Sequence, residues 1–65
     1  MKLIYNGQDI QVDGGLSLQQ ILVSHGATPP FAVALNGQFV PAGLLPETKP
    51  ESGDSIEVLS PIQGG

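Results

Sequence analysis

Apolar residues recur with period two near both ends of the chain and with a helical period in one stretch between them. Lys2 to Tyr5 and Gln8 to Val12 are extended runs joined by Asn6-Gly7, the dipeptide that best tolerates positive φ at both central positions of a hairpin turn. Leu3 and Tyr5 share one face and Ile4 takes the other, while Ile10 and Val12 alternate with Asp9, Gln11 and Asp13. That alternation predicts a β-hairpin with one face turned inward. Gly14-Gly15 breaks the second strand, and Ser17 followed three residues later by Gln20 has the capping-box pattern, which predicts a helix over Leu18 to Ser24. Leu18, Ile21 and Leu22 sit at i, i+3 and i+4 and form one apolar stripe that can cover the hairpin. Gly26 can take the left-handed conformation that ends a helix, and Pro29-Pro30 cannot resume one.

Phe31 to Leu35 is apolar throughout and leads through Asn36-Gly37 into Gln38-Phe39-Val40, ending at Pro41. This predicts a second hairpin whose first strand is buried. Residues Ala42 to Ser52 are irregular and rich in Gly, Pro and Ser, with Leu44 and Leu45 expected to pin the connection to the core. Gly53-Asp54 turns into a last strand, Ser55 to Leu59, and Pro61 removes a backbone donor where that ladder should end. Two strands, a helix, two strands, a long connection and a closing strand make an α+β layout of the β-grasp, or ubiquitin-like, type. The expected form is a mixed sheet of four to five strands with one main helix across one face. A single domain spans residues 1–65, with 61–65 as a flexible C-terminal tail ending in Gly64-Gly65.

Composition narrows what such a domain can do. A chain of 65 residues buries only about 60% of its unfolded surface, so one modest core must both close the fold and line any pocket. Without cysteine there is no disulfide, no thiolate nucleophile and no Cys-based metal site. The single histidine, His25, lacks clustered ligands or a partner for acid–base work, so no metal and no catalytic residue is expected. Its place at the helix C-terminus suits a charge that complements the helix dipole. No run approaches the roughly 20 apolar residues of a membrane span and the N-terminal apolar run is too short for a signal peptide, so a cytoplasmic protein is expected.

A net charge of −4 repels nucleic-acid phosphates and anionic lipids, so neither nucleic acid nor membrane is an expected partner. Glu47, Glu51, Asp54 and Glu57 crowd the approach to the last strand. They could steer a basic protein partner or simply solvate a loop.

The ending carries the most specific chemistry. Gly64 and Gly65 have no side chains, so their backbone can enter a narrow channel and bring the terminal carboxylate to another protein's nucleotide. That carboxylate is an unhindered acyl group, suited to adenylation and then attack by a sulfur nucleophile. With 9 glycines in 65 residues, two final glycines arise by chance with a probability of roughly 2%. The weight comes from their position directly after the final strand.

Over its whole length the sequence resembles the ThiS-type sulfur carriers of thiamine biosynthesis. The resemblance rests on the Asn6-Gly7 hairpin, Ser17-Leu18-Gln19-Gln20-Ile21-Leu22, the stretch from Ala32 to Pro41, and Gly53-Asp54-Ser55-Ile56-Glu57-Val58 through Gln63-Gly64-Gly65. It implies that a ThiF-type, E1-like adenylyltransferase uses ATP to adenylate the Gly65 carboxylate. Sulfur from a cysteine desulfurase route then gives a thiocarboxylate, and a ThiG-type thiazole synthase takes the sulfur. The carrier itself binds no cofactor and is not an enzyme. By the same resemblance Gly64, Gln63, Ile62 and Pro61 are gripped as the tail threads into its partners, and Phe39, Val40 and Leu59 are candidates for a docking patch on the sheet. The segment Ala42-Gly43-Leu44-Leu45-Pro46 departs from the common pattern, which is often more polar there or contains Trp.

Three other readings fit parts of the sequence. The small subunit of molybdopterin synthase shares the fold, the tail and a Pro before Gly-Gly, although that family is usually longer. A ubiquitin-like modifier would form isopeptide bonds, and a plain binding module would carry its glycines incidentally.

Overall fold

Five strands and one α-helix follow each other in a computed structural model that describes residues 1–60. The order is β1 (Lys2–Tyr5), β2 (Gln8–Gln11), α1 (Leu18–Ser24), β3 (Ala32–Leu35), β4 (Gln38–Val40), a 3₁₀ turn (Ala42–Leu44) and β5 (Ser55–Leu59). Both hairpins close through the expected dipeptides. Asn6 and Gly7 have φ of 49° and 84°, and Asn36 and Gly37 have φ of 52° and 83°, which is the turn whose twist matches that of the flanking strands.

The sheet runs β2-β1-β5-β3-β4. β5 lies in the centre, parallel to β1 with Tyr5 opposite Ile56, and antiparallel to β3 with Leu35 opposite Ile56 and Ala32 opposite Leu59. This is the mixed β-grasp sheet, in which the last segment of the chain is inserted between two hairpins made earlier.

α1 is built as its sequence pattern predicts, and every donor at its N-terminus is accounted for. The Ser17 N–H donates to Gln20 Oε1 at 2.9 Å and the Gln20 N–H donates to Ser17 Oγ at 3.2 Å. The Leu18 and Gln19 N–H groups, which no cap side chain reaches, donate to the carbonyls of Thr48 and Leu45 at 2.7 and 3.2 Å. The long connection therefore completes the helix cap. At the other end Gly26, with φ of 81°, allows its own N–H to reach the Val23 carbonyl and the Ala27 N–H to reach that of Leu22, the paired bonds of a Schellman stop.

Leu3 from β1, Leu18, Ile21 and Leu22 from α1, Val33 from β3, Leu45 from the connection and Ile56 from β5 form the core. The helix stripe is fully buried, as its spacing predicts. Two expectations need correction. The apolar run of β3 is not a buried strand. Val33 is buried, but Ala32 is exposed and Ala34 and Leu35 are half-buried, because the helix covers one face of the sheet only. In the connection Leu45 enters the core, whereas Leu44 is 48% exposed. The adjacent positions of a 3₁₀ turn cannot both point inward, and Pro50 is the second buried anchor of this segment.

A domain of this size has a stability of only about 3–10 kcal/mol at the usual ~0.05–0.15 kcal/mol per residue. Leu22→Ala, which empties a fully buried site on α1, should cost about 2–5 kcal/mol. Urea denaturation is expected to show a midpoint lowered by the equivalent of that loss, and a midpoint unchanged within error would contradict the placement of Leu22 in the core.

Candidate functional site

The two faces of the sheet have different fates. Strand alternation sends Leu3, Tyr5, Ile10, Val33, Leu35, Val40, Ile56 and Val58 toward α1, where the partly covered ones pack on the core. On the opposite face no element covers the sheet among the described residues. Here Phe39 stands opposite Ala34, which stands opposite Glu57, and Ala32 stands opposite Leu59. Phe39 is 68% exposed and Leu59 73% exposed. With Asn6, Ala32, Ala34 and Glu57 they line an open groove of about 460 Å³. Covering two such side chains is worth about 1.5–3 kcal/mol each, a gain that the fold itself leaves unrealised on this face. Glu57 is exposed within the groove, which places one acid among the apolar contacts.

Of the three candidate docking residues, Phe39 and Leu59 therefore lie on this open face. Val40 does not. It pairs with the buried Val33 and is itself half-buried against the core. The sequence held the signal, since Phe39 and Val40 are neighbours in a strand and must point to opposite faces. Ala32 and Ala34 belong to the open face and were hidden inside an apolar run that read as core.

The candidate tail residues Pro61, Ile62, Gln63, Gly64 and Gly65 lie outside the described residues. What the structure does describe is the platform ahead of them. β5 runs to Leu59, next to the groove, and Ser60 follows at its edge beside Pro30 and Phe31. The groove and the chain exit thus share Leu59.

Other chemistry on the surface is sparse. His25 stacks on Tyr5, with ring centroids 5.0 Å apart, a contact that links the helix end to β1. Burial pushes the Tyr5 hydroxyl above its ordinary range. Asp54, one of the four acids crowded before and within β5, is engaged locally, accepting from the Glu51 N–H at 2.8 Å and from Asn36 Nδ2 at 3.1 Å. It holds a turn. Lys2 and Asp9 form an exposed ion pair at 3.1 Å, worth little in water. Among the described residues there is no group of three His, Cys, Asp or Glu side chains placed to hold a metal, and no helix long and apolar enough to cross a membrane.

A β-grasp domain with an open apolar sheet face beside the end of its central strand is the class of protein that fold and surface define. The ThiS family matches residues 3–65, and this chain belongs to that family. Two solved structures are similar to it. One is the crystal structure of a thiamine biosynthesis protein (ThiS) from Geobacter metallireducens, 29% identical, with a TM-score of 0.82 and full coverage of both chains. The other is an NMR solution structure of a thiamine biosynthesis protein from Geobacter metallireducens, 29% identical, with a TM-score of 0.81, covering 100% of this chain and 88% of the other. No curated protein matches the chain. The resemblance to ThiS-type sulfur carriers read from the sequence is thus shown at the level of the family and of the fold.

The division of the strand between two faces has a measurable consequence. Phe39→Ala should change the urea midpoint by the equivalent of less than about 1 kcal/mol, as for a surface site. Val40→Ala removes methyls packed on the core and should cost about 1–2 kcal/mol. The reverse ranking would contradict the assignment of faces.

Proposed function

We propose that this protein is a sulfur carrier of thiamine biosynthesis that works as one domain spanning residues 1–65, with Gly65 as the residue that bears the sulfur. The observation that carries the reading is the family match, which runs from β1 through Gly64-Gly65. The similar structures with thiamine biosynthesis names support the pathway.

In this reading the chain supplies an acyl group and two kinds of contact, and its partners supply the chemistry. A ThiF-type adenylyltransferase docks on the open face at Phe39 and Leu59, while Pro61, Ile62, Gln63 and Gly64 are the segment it grips. Small residues at the end let the backbone approach a nucleotide closely. A Gly65 carboxylate oxygen attacks the α-phosphorus of ATP and pyrophosphate leaves. The terminal sulfur of a persulfide fed by a cysteine desulfurase then displaces AMP from the acyl carbon, and a thiol reductant cleaves the resulting acyl disulfide, itself becoming a disulfide, to leave a thiocarboxylate. A ThiG-type thiazole synthase takes up the sulfur in exchange for an oxygen atom from its substrate or from water, which returns the carboxylate. In this reading the carrier contributes no acid, base or nucleophilic side chain of its own to the cycle, and Glu57, the acid that lines the groove, serves as a docking contact. Nothing in this cycle needs a membrane, and the cytoplasm is the proposed location.

Incubation of the full chain with ATP, a ThiF-type adenylyltransferase and a sulfur source should shift its intact mass by the exchange of one oxygen for sulfur. Deleting Gly65 should abolish that shift. Sulfur uptake by the truncated chain would show that the acyl group lies elsewhere and would end the carrier reading as stated.

A further inference from the structure

On its β1 side β5 is paired by strand only as far as Tyr5 opposite Ile56. Beyond that point the chain turns away through Asn6-Gly7 into β2, so the next rung of β5, at Val58, has no strand to meet. The Asn6 carboxamide takes that place. Its Oδ1 accepts from the Val58 N–H at 2.7 Å and its Nδ2 donates to the Val58 carbonyl at 3.3 Å. The Asn6 backbone N–H meanwhile donates to the Ile56 carbonyl at 2.8 Å. One residue therefore holds two successive rungs, because a primary amide presents a donor and an acceptor much as a peptide unit does.

Asn36 does the corresponding work where β5 begins. Its backbone N–H donates to the Ser55 carbonyl at 2.7 Å, its Oδ1 accepts from the Ser55 N–H at 2.9 Å, and its Nδ2 reaches Asp54 Oδ1 at 3.1 Å. The two turn asparagines grip opposite ends of the central strand. Only Asn6 grips the end from which the chain goes on toward Gly65.

We propose that Asn6 is a positioning residue for transfer at the terminus: its carboxamide fixes the last rung of β5 and thereby the point and direction from which the chain leaves the sheet. The proposal rests on the carrier reading above. Without the two side-chain bonds the end of β5 is held on its β3 side alone, through Ala32 opposite Leu59, and a strand end with one partner opens readily. A reacting carboxylate carried on such a root loses the fixed approach on which effective molarity depends.

The test compares Asn6→Gly with Asn36→Gly in the full chain. Glycine keeps the positive φ of either turn, so each variant loses side-chain bonds at one end of β5 and little else. Urea denaturation establishes that both are folded and similarly weakened. ATP–pyrophosphate exchange by a ThiF-type adenylyltransferase from the same organism is then measured over a range of carrier concentrations. Asn6→Gly should lower kcat about three- to tenfold with KM within about twofold, as expected when alignment rather than docking is lost. Asn36→Gly should keep kcat within about twofold of the unmodified chain. If Asn6→Gly does not fold, Asn6→Asp serves instead. It keeps the acceptor for the Val58 N–H but sets a carboxylate against the Val58 carbonyl, and kcat should fall in the same direction. An unchanged kcat in the folded Asn6 variant, or an equal fall in both asparagine variants, overturns the positioning role and leaves the carrier reading intact. Failure of the unmodified chain to support exchange removes the carrier reading and the proposal together.

Discussion

The backbone of β5 is the constraint on which the rest of this protein depends. It is the last strand in the sequence and the middle strand in space, so nothing around it is complete until it is in place. It joins the two hairpins into one sheet, contributes Ile56 to the core and ends beside the open groove. Four strand residues cannot by themselves supply partners along its whole β1 edge. The Asn6 carboxamide continues that edge at Val58, and the Asn36 carboxamide extends the β3 edge at Ser55. Each such bond contributes a net of about 0.5–1.5 kcal/mol, which is a sizeable share of the few kcal/mol available to a domain this small.

The same economy appears at the helix. Seven residues are too few for a helix to stand alone, and α1 persists because its apolar stripe is fully buried and both of its ends are hydrogen-bonded. The connection after β4 lends two carbonyls to the helix N-terminus and two buried side chains, Leu45 and Pro50, to the interior. A segment with no regular strand or α-helix is thus as much a part of the fold as the elements it joins. The consequence for function is a sheet with all of its structural work on one face. The other face is left free to carry Phe39 and Leu59 in the open beside the chain exit.

What was legible in the sequence was whatever is encoded locally. The Asn-Gly turns, the Ser17 and Gln20 cap, the stripe of Leu18, Ile21 and Leu22, the Gly26 stop and the bounds of β5 all depend on residues within a few positions of each other, and all appear as read. Errors arose where an apolar run concealed alternation. Val33 and Ala34 are equally apolar in sequence and differ only in which face they occupy, and Val40 followed its neighbour Phe39 into the wrong group for the same reason. The second roles of Asn6 and Asn36 had no local signal at all. The partner of Asn6 lies 52 positions away, and a turn preference already accounts for an asparagine there. The glycine ending was readable as chemistry, and the family match extends to it.

Amide hydrogen exchange on the intact chain tests the clamp on β5 most directly. If a side chain truly extends the ladder, the Val58 amide should be protected to within about tenfold of the Ile56 amide, which lies inside the strand pairing. A Val58 amide that exchanges as fast as an unstructured peptide, with Ile56 still protected, would contradict it. On its β1 side the central strand would then end where β1 ends, and the clamp on the chain exit would not exist.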